Sequence, residues 1–529
     1  MAAEHTEHRR EQETRTWLWL AAIVALGAGL RLYALGRYSL WYDECASLYL
    51  GRYVPGLELF DITKNSEPPV NALLAWAWSR VVGLFGFGPR TVTNDFLLRL
   101  LPCLLGTAVI PLAFVWIRRI AKASWPALLA ALLLAVSPFQ VYYSQELRVY
   151  PFYLLVCLLT SLCAWRALHE DHWRWWAGLT LGLALLLYSH FFSVWFMFTL
   201  SVFYLCMAWR YWPLVWKWAV ANAAALVLAI PALRIAYNLQ SIVAELEYAW
   251  YPNPTVKTAL ITFKTFFAGY AFYPWAYWPL FLMAGALFVF GLAALYRRRP
   301  EAALFVLVLV LVPMAGATIV WSIQFFSFYW HRLFIFSGVM ATAAVAFGIH
   351  ALPMRRVRLA VLAVFLGLTA VCLHGYYAQH LHPIEHHRRG VSAKVDFRGA
   401  TRLIHDRLEP GDVVGVASTF SVYPLYHYLP EAELRHIAYS DKETEGVLKS
   451  IGNEPLLRAH KLLPIPKEES LEGVRRLWLV QSKGPTFENQ VFTKRLRDWL
   501  DAHWPVVSRH QFDGLTITLY KAPAARPQT

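Results

Sequence analysis

The chain has 529 residues, 58% of them hydrophobic and only 16% charged, with a mean hydropathy of +0.40. Successive apolar runs of about 18 to 22 residues can be accommodated only as membrane-crossing helices, which excludes a soluble globular protein. The net charge of +15 does not indicate a nucleic-acid partner, because the basic residues cluster in short loops between apolar runs, the pattern that sets membrane orientation.

A polar segment, residues 1–16, carries Arg9, Arg10 and Arg15 ahead of the first apolar run, Trp17 to Leu35. With no small-residue cleavage site, that run reads as a retained anchor behind a cytoplasmic tail. Arg31, inside it, is expected to reach outward to an acidic group. Directly after the run stand the adjacent carboxylates Asp43 and Glu44, in Ser39-Leu40-Trp41-Tyr42-Asp43-Glu44-Cys45-Ala46-Ser47-Leu48-Tyr49. Carboxylates beside hydrocarbon are costly and mark ion paths, substrate sites or catalysis. Helical neighbours lie about 100° apart, so one of the pair can face a cavity while the other caps or pairs elsewhere. The alternative is that both only complement a helix N-terminus.

Glu67-Pro68-Pro69 follows, then an apolar segment from Val70 to Phe87 with Arg80 inside it. If that segment crossed the membrane, the later basic clusters would all fall outside; laid along the surface, it places them inside, as the positive-inside rule requires. The outer loop then runs over 37–95. With this parity about eleven spans are expected, centred near residues 27, 108, 131, 158, 183, 200, 226, 287, 311, 341 and 366.

The outward ends of these spans carry Tyr142-Tyr143-Ser144-Gln145-Glu146-Leu147-Arg148-Val149-Tyr150, then Tyr188-Ser189-His190, and Tyr329-Trp330-His331-Arg332. A lid-like aromatic loop, 237–273, lies on the same face and either closes over a ligand or rests along the interface. Beyond a His-rich linker, 376–395, the pattern becomes that of a small α/β domain over 396–522. It holds a helix at 398–408, a strand at 413–417, a strand at 476–480, a helix at 493–503 and an Asp513-Gly514 hairpin turn. The expected fold is a polytopic α-helical membrane protein, with a multispanning domain over 17–375 and an extracytoplasmic α/β domain at the C-terminus.

These residues suit group transfer from a lipid-linked phosphate to a hydroxyl. A hydroxyl needs a base to take its proton as the bond forms, and Asp43 is the candidate. The departing phosphate needs its charge held, for which Arg148, Arg332 and His331 are the cationic candidates. Displacement by a single base inverts the anomeric centre. Glu44, Glu67 and His190 are candidates for the acceptor or a metal. Glu67 before two prolines also suits a helix start, and His190 also suits a satisfied core histidine. Gln145, Glu146 and Tyr150 complete the candidate set. No base can be assigned to Cys45, so no covalent nucleophile is evident.

The Ser39–Tyr49 run, Glu67-Pro68-Pro69, Leu98-Arg99-Leu100-Leu101-Pro102, Ser137-Pro138-Phe139 leading to Tyr143–Tyr150, and Tyr188-Ser189-His190-Phe191-Phe192 together resemble a known superfamily. It is the GT-C glycosyltransferases related to protein O-mannosyltransferases and lipid A aminoarabinose transferases, in their bacterial dolichyl-phosphate-mannose-protein mannosyltransferase-like branch. The resemblance covers residues 17 to about 375; Asp396-Phe397-Arg398-Gly399 and Pro410-Gly411-Asp412 resemble the extracytoplasmic domain of bacterial members. It implies an inverting glycosyltransferase of the bacterial inner membrane. The donor it implies is a polyprenyl-phosphate sugar, mannose or a related one, and the acceptor an unspecified hydroxyl of a protein, lipid or glycan on the periplasmic face. In it Asp43 would be the base, and Arg148 and Arg332 the donor-phosphate contacts. Some members hold a divalent ion, so Mg, Mn or Zn stays open. Cys45 and Glu67 depart from the pattern. Two other classes compete: a polyprenyl-glycan flippase, and a non-catalytic component of envelope polysaccharide assembly. A transporter would show half-repeats and mid-depth charges, and the sequence has neither.

Overall fold

The computed structural model describes residues 2–53, 68–244, 254–322, 329–381, 394–438, 465–482 and 487–523, with backbone alone for 2–10, 238–244, 419 and 487–493. Two compact units emerge, and they do not follow chain order. The first gathers residues 1–34, 100–233 and 249–391; the second gathers 35–99, 234–248 and 392–529. The outer loop expected over 37–95 thus folds in one unit with the C-terminal segment.

The first unit is helical. A helix stands at each of the eleven expected span centres, but by length and apolarity seven helices among the described residues suffice to cross a membrane, or nine if each of two bent pairs is one span. The expected spans near 200 and 226 form one such pair, bent by 76° between Ser193–Cys206 and Ala208–Leu228. The break falls at Met207, whose backbone leaves the helical region at φ −108 and ψ 9, while Trp212-Pro213-Leu214 forms a 3-10 turn inside the second helix of the pair.

The other pair, Ser124–Val136 and Pro138–Ser144, bends by 59°. Ser137 is forced into an extended conformation by the proline after it, and its hydroxyl accepts from Gln140 N–H to start the next helix. The break leaves carbonyls of the first helix without intrahelical donors. Arg31 supplies them: its guanidinium donates to Leu134 O at 3.2 Å and Ala135 O at 3.0 Å, and to Ser144 Oγ at 3.1 Å. The expectation of an acidic partner for Arg31 is therefore corrected, because a kinked helix end offers a buried cation enough carbonyls to stay satisfied.

At the centre of this unit Ile335–Ala351 is buried from Ile335 through Ile349. Gly291 of Pro274–Arg298 meets Ala344 O and Gly348 N, and Gly348 meets Leu287 O, so closely that no Cβ fits at either glycine. Small residues let the two backbones approach, which is how helices associate where burying apolar surface gains nothing. Within the expected lid, Val256–Ala268 is a regular helix opened by a reciprocal Thr255–Thr258 cap, with Lys264 buried on it. Residues 245–253 lie outside the described residues, as do Glu67 and 382–389.

The second unit holds the loop helices Tyr42–Tyr53 and Pro69–Gly83, the latter at the segment expected to lie along the surface. Its C-terminal part is a six-stranded mixed sheet built from β1 (Val413–Val416), β2 (Glu433–Ala438), β3 (Ile465–Pro466), β4 (Arg476–Ser482), β5 (Val506–Phe512) and β6 (Leu515–Lys521), in the order β3-β2-β1-β4-β6-β5. Strand β1 runs parallel to β2 and β4 and is buried along its whole length, as a central parallel strand must be. Antiparallel β5 and β6 meet at a turn in which Gly514 has φ +74, a conformation glycine takes at no steric cost. The sequence reading misses the helix Thr419–Tyr428, which contains Pro424, and β2.

Candidate active site

Seven of the sequence-predicted residues fall in the first unit. The segment after the Pro138–Ser144 helix is a run of tight turns in which Arg148 N–H donates to Glu146 O at 2.7 Å. Gln145 is buried within it: its Nε2 donates to Arg31 O and Tyr33 O at 2.7 and 2.8 Å, and its Oε1 accepts from Tyr376 OH at 2.6 Å. Gln145 therefore ties the first apolar helix to the last and holds the turn. Glu146 is buried, and its carboxylate acts electrostatically on Tyr142.

Arg148 and Arg332, far apart in the chain, converge here. Both are half-buried, and both act electrostatically on His190. The Arg332 guanidinium lies 5.5 Å from the centre of the Tyr150 ring and 4.0 Å from that of Trp330, contacts that orient a cation by the ring quadrupole. The Tyr150 ring in turn lies 6.1 Å from His190 and 5.0 Å from Tyr143. His190 follows the helix Trp173–Ser189, and its Nδ1 accepts from Phe192 N–H at 3.1 Å. Burial, then Arg332 and Arg148, hold the His190 ring down to about 3, so it stays neutral beside the two cations.

His331 is fully buried, with Nδ1 2.8 Å from Thr262 Oγ1 and the ring 6.0 Å from Tyr270. Thr262 also meets Tyr329 OH at 3.0 Å. The structure thus sets His331 in a packed tyrosine and threonine shell, and Arg332 beside it on a half-buried position.

Asp43 and Glu44 fall in the second unit, at the start of the Tyr42–Tyr53 helix. Glu44 is consumed by structure. Its two oxygens accept from Arg99 Nε and Nη2 at 2.8 and 2.7 Å, and Oε2 also accepts from Trp41 N–H at 3.1 Å. It is the third residue of the helix reaching back to the cap, one half of a capping box. Asp43 is half-buried beside it. Cys45 is buried, and burial, then Glu44 and Asp95, push its thiol well above the usual range, which removes the thiolate that nucleophilic chemistry needs.

Asp95, Arg99, Arg398 and Tyr428 surround this helix start and were not singled out from the sequence as site residues. The available signal was Asp95 and Arg99, charged at i and i+4 in the first turns of an apolar span. Among the described residues no three His, Cys, Asp or Glu side chains gather to hold a metal ion, and Glu67 lies outside them.

Residues 66–235 match the family model described as "Dolichyl-phosphate-mannose-protein mannosyltransferase", a stretch that includes Gln145, Glu146, Arg148, Tyr150 and His190. Among solved structures the chain is similar to apo ArnT from Cupriavidus metallidurans, with TM-score 0.60 and 14% identity over 96% of this chain and 99% of that one. In fold, the chain is similar to ArnT over nearly its whole length. ArnT from the same organism bound to undecaprenyl phosphate matches this chain with TM-score 0.58 and 15% identity, over 96% and 99% of the two chains. The archaeal oligosaccharyltransferase AglB from Archaeoglobus fulgidus, in complex with an inhibitory peptide and a dolichol-phosphate, matches with TM-score 0.53 and 12% identity over 98% and 75%. No curated protein sequence matches the chain. The apolar helices and the shared fold make it a multi-pass membrane protein.

Proposed function

We propose that this protein is an inverting glycosyltransferase that moves a sugar, mannose or a related one, from a polyprenyl-phosphate carrier to an acceptor hydroxyl. The carrying observation is the convergence of Arg148 and Arg332 on the neutral His190, which concentrates positive charge at the ends of apolar helices, where a lipid-linked phosphate would present its headgroup. The family description and the polyprenyl-phosphate ligands named for ArnT and AglB support that donor class.

In this reading the acceptor oxygen attacks the anomeric carbon as Asp43 takes its proton, and the bond from that carbon to the phosphate oxygen breaks. Polyprenyl phosphate departs with both bonding electrons. Arg148 and Arg332 hold the charge that develops on it, a stabilisation worth most where water is excluded. His331, held by Thr262 beside Arg332 in the sequence, is the third candidate for the phosphate. Glu44 supports the fold in this reading, since Arg99 engages both its oxygens. The site faces the periplasm of a bacterial inner membrane, with the N-terminus cytoplasmic, as the positive-inside rule directs.

The test is transfer by purified protein from radiolabelled polyprenyl-phosphate sugars into membrane extracts, comparing wild type with Asp43→Asn. A general base contributes about 10²- to 10⁴-fold, so a loss of at least about a hundredfold with undecaprenyl phosphate still bound supports the reading. Binding with no transfer by wild type from any donor moves the assignment to a flippase.

A further inference from the structure

We infer that Arg398 and Tyr428, in the C-terminal part of the chain, are positioning residues that set the helix start bearing Asp43. The inference rests on the transferase reading of Asp43 and deepens it.

Two guanidiniums grip the backbone that enters the Tyr42–Tyr53 helix. Arg99 donates to Leu35 O at 3.2 Å, Tyr38 O at 2.6 Å and Ser39 O at 2.9 Å. Arg398 donates to Gly36 O at 3.1 Å and Arg37 O at 2.8 Å, and its own N–H donates to Ser39 Oγ at 3.0 Å. Every carbonyl from Leu35 through Ser39 therefore accepts from one arginine or the other. The next residue, Leu40, donates its N–H to Tyr428 OH at 2.7 Å. Tyr428 OH donates in turn to Asp95 Oδ2 at 2.8 Å, which also accepts from Arg398 Nη1 at 2.5 Å. Burial beside Asp95 pushes the Tyr428 hydroxyl well above its usual range, so it remains a donor.

The charges balance: Arg99 and Arg398 against Glu44 and Asp95, all four buried. A buried network in which every carbonyl is matched to a fixed guanidinium has few alternative arrangements. The rings of Tyr42 and Tyr49, on the Asp43 helix, also pack 5.2 and 5.1 Å from Tyr423, so the Thr419–Tyr428 helix holds the Asp43 helix along its side as well as at its start. Arg398 and Tyr428 stand on the Phe397–Arg407 and Thr419–Tyr428 helices of the C-terminal part, which gives that part a role in the reaction without its touching a substrate. A base displaced by about 1 Å loses about a hundredfold in rate.

The test uses the full chain in detergent with Tyr428→Phe, which removes one oxygen, and Arg398→Lys, which keeps charge but loses the fork. Amide hydrogen exchange is followed across 42–53 and across β4 and β6, and transfer kcat is measured beside the Kd for undecaprenyl phosphate. The expected result is exchange at 42–53 raised at least about tenfold with β4 and β6 unchanged, and kcat lowered about 10- to 100-fold at unchanged Kd. Unchanged exchange at 42–53, or unchanged kcat in both variants, overturns the inference. Raised exchange at 42–53 in a protein whose wild type transfers no sugar leaves the positioning in place and sinks the transferase reading instead. If Arg398→Lys also loses β4 and β6 protection, Tyr428→Phe alone decides.

Discussion

Arg99 engages both oxygens of Glu44 at 2.8 and 2.7 Å, and both side chains are buried. Two adjacent carboxylates thereby acquire different roles. Glu44 is committed to a bidentate pair and to the cap of its own helix, and Asp43, half-buried, is the one proposed as the base.

Substituting the two carboxylates should separate these roles. Glu44→Gln leaves the Arg99 cation buried without its counter-charge, a loss of about 3–5 kcal/mol, and should lower the melting temperature and the yield of folded protein sharply. Asp43→Asn should leave the melting temperature near that of wild type while lowering transfer at least about a hundredfold. Thermal unfolding in detergent beside initial rates reads both effects. Equal thermal losses in the two variants would contradict the division.

The cationic pair makes a second prediction. Arg148→Ala and Arg332→Ala should each weaken undecaprenyl phosphate binding about 10- to 100-fold, measured by tryptophan quenching, with acceptor KM unchanged. Arg332→Lys should recover only part of the loss, because a point charge replaces a planar fork stacked on Trp330 and Tyr150. Wild-type affinity in both alanine variants would remove these residues from donor binding.

The apolar runs and the paired carboxylates were legible in the sequence because both depend on local pattern: span length is set by the bilayer, and Asp43-Glu44 is contiguous. Which of the two carboxylates is structural was not legible, since it depends on Arg99, more than fifty residues on. Arg31 misled for the same reason: its partners are carbonyls exposed by a break at Pro138 in another helix. In the C-terminal part the hairpin around Asp513-Gly514 was readable from turn chemistry, whereas Pro424 hid the Thr419–Tyr428 helix and with it Tyr428.

Packing at the centre of the bundle yields a third prediction. Gly291→Val places side-chain atoms where Ala344 O and Gly348 N already stand. Those partners are backbone, so neither can rotate away, and the cost should reach about 1–3 kcal/mol or more. Size-exclusion chromatography should show loss of the monodisperse peak. Gly285→Ala, on the same helix with no neighbour in reach, should behave as wild type.

Acid should weaken the fold through histidines held neutral. Burial and the nearby Arg52, partly opposed by Glu44, bring His427 down to about 4, and His190 is held to about 3. Unfolded, each titrates near 6.5. Between those values the unfolded chain binds a proton that the folded chain does not, so stability is full above about pH 6.5 and falls as pH drops toward 4. Melting temperatures from pH 7.5 to 4.5 should therefore decline. His427→Gln should flatten the decline by up to one proton's worth of slope, about 1.4 kcal/mol per pH unit at most, and less to the extent that the half-buried ring stays hydrated. A variant whose melting temperature falls with pH as steeply as that of wild type would show that His427 is protonated alike in the folded and unfolded chain.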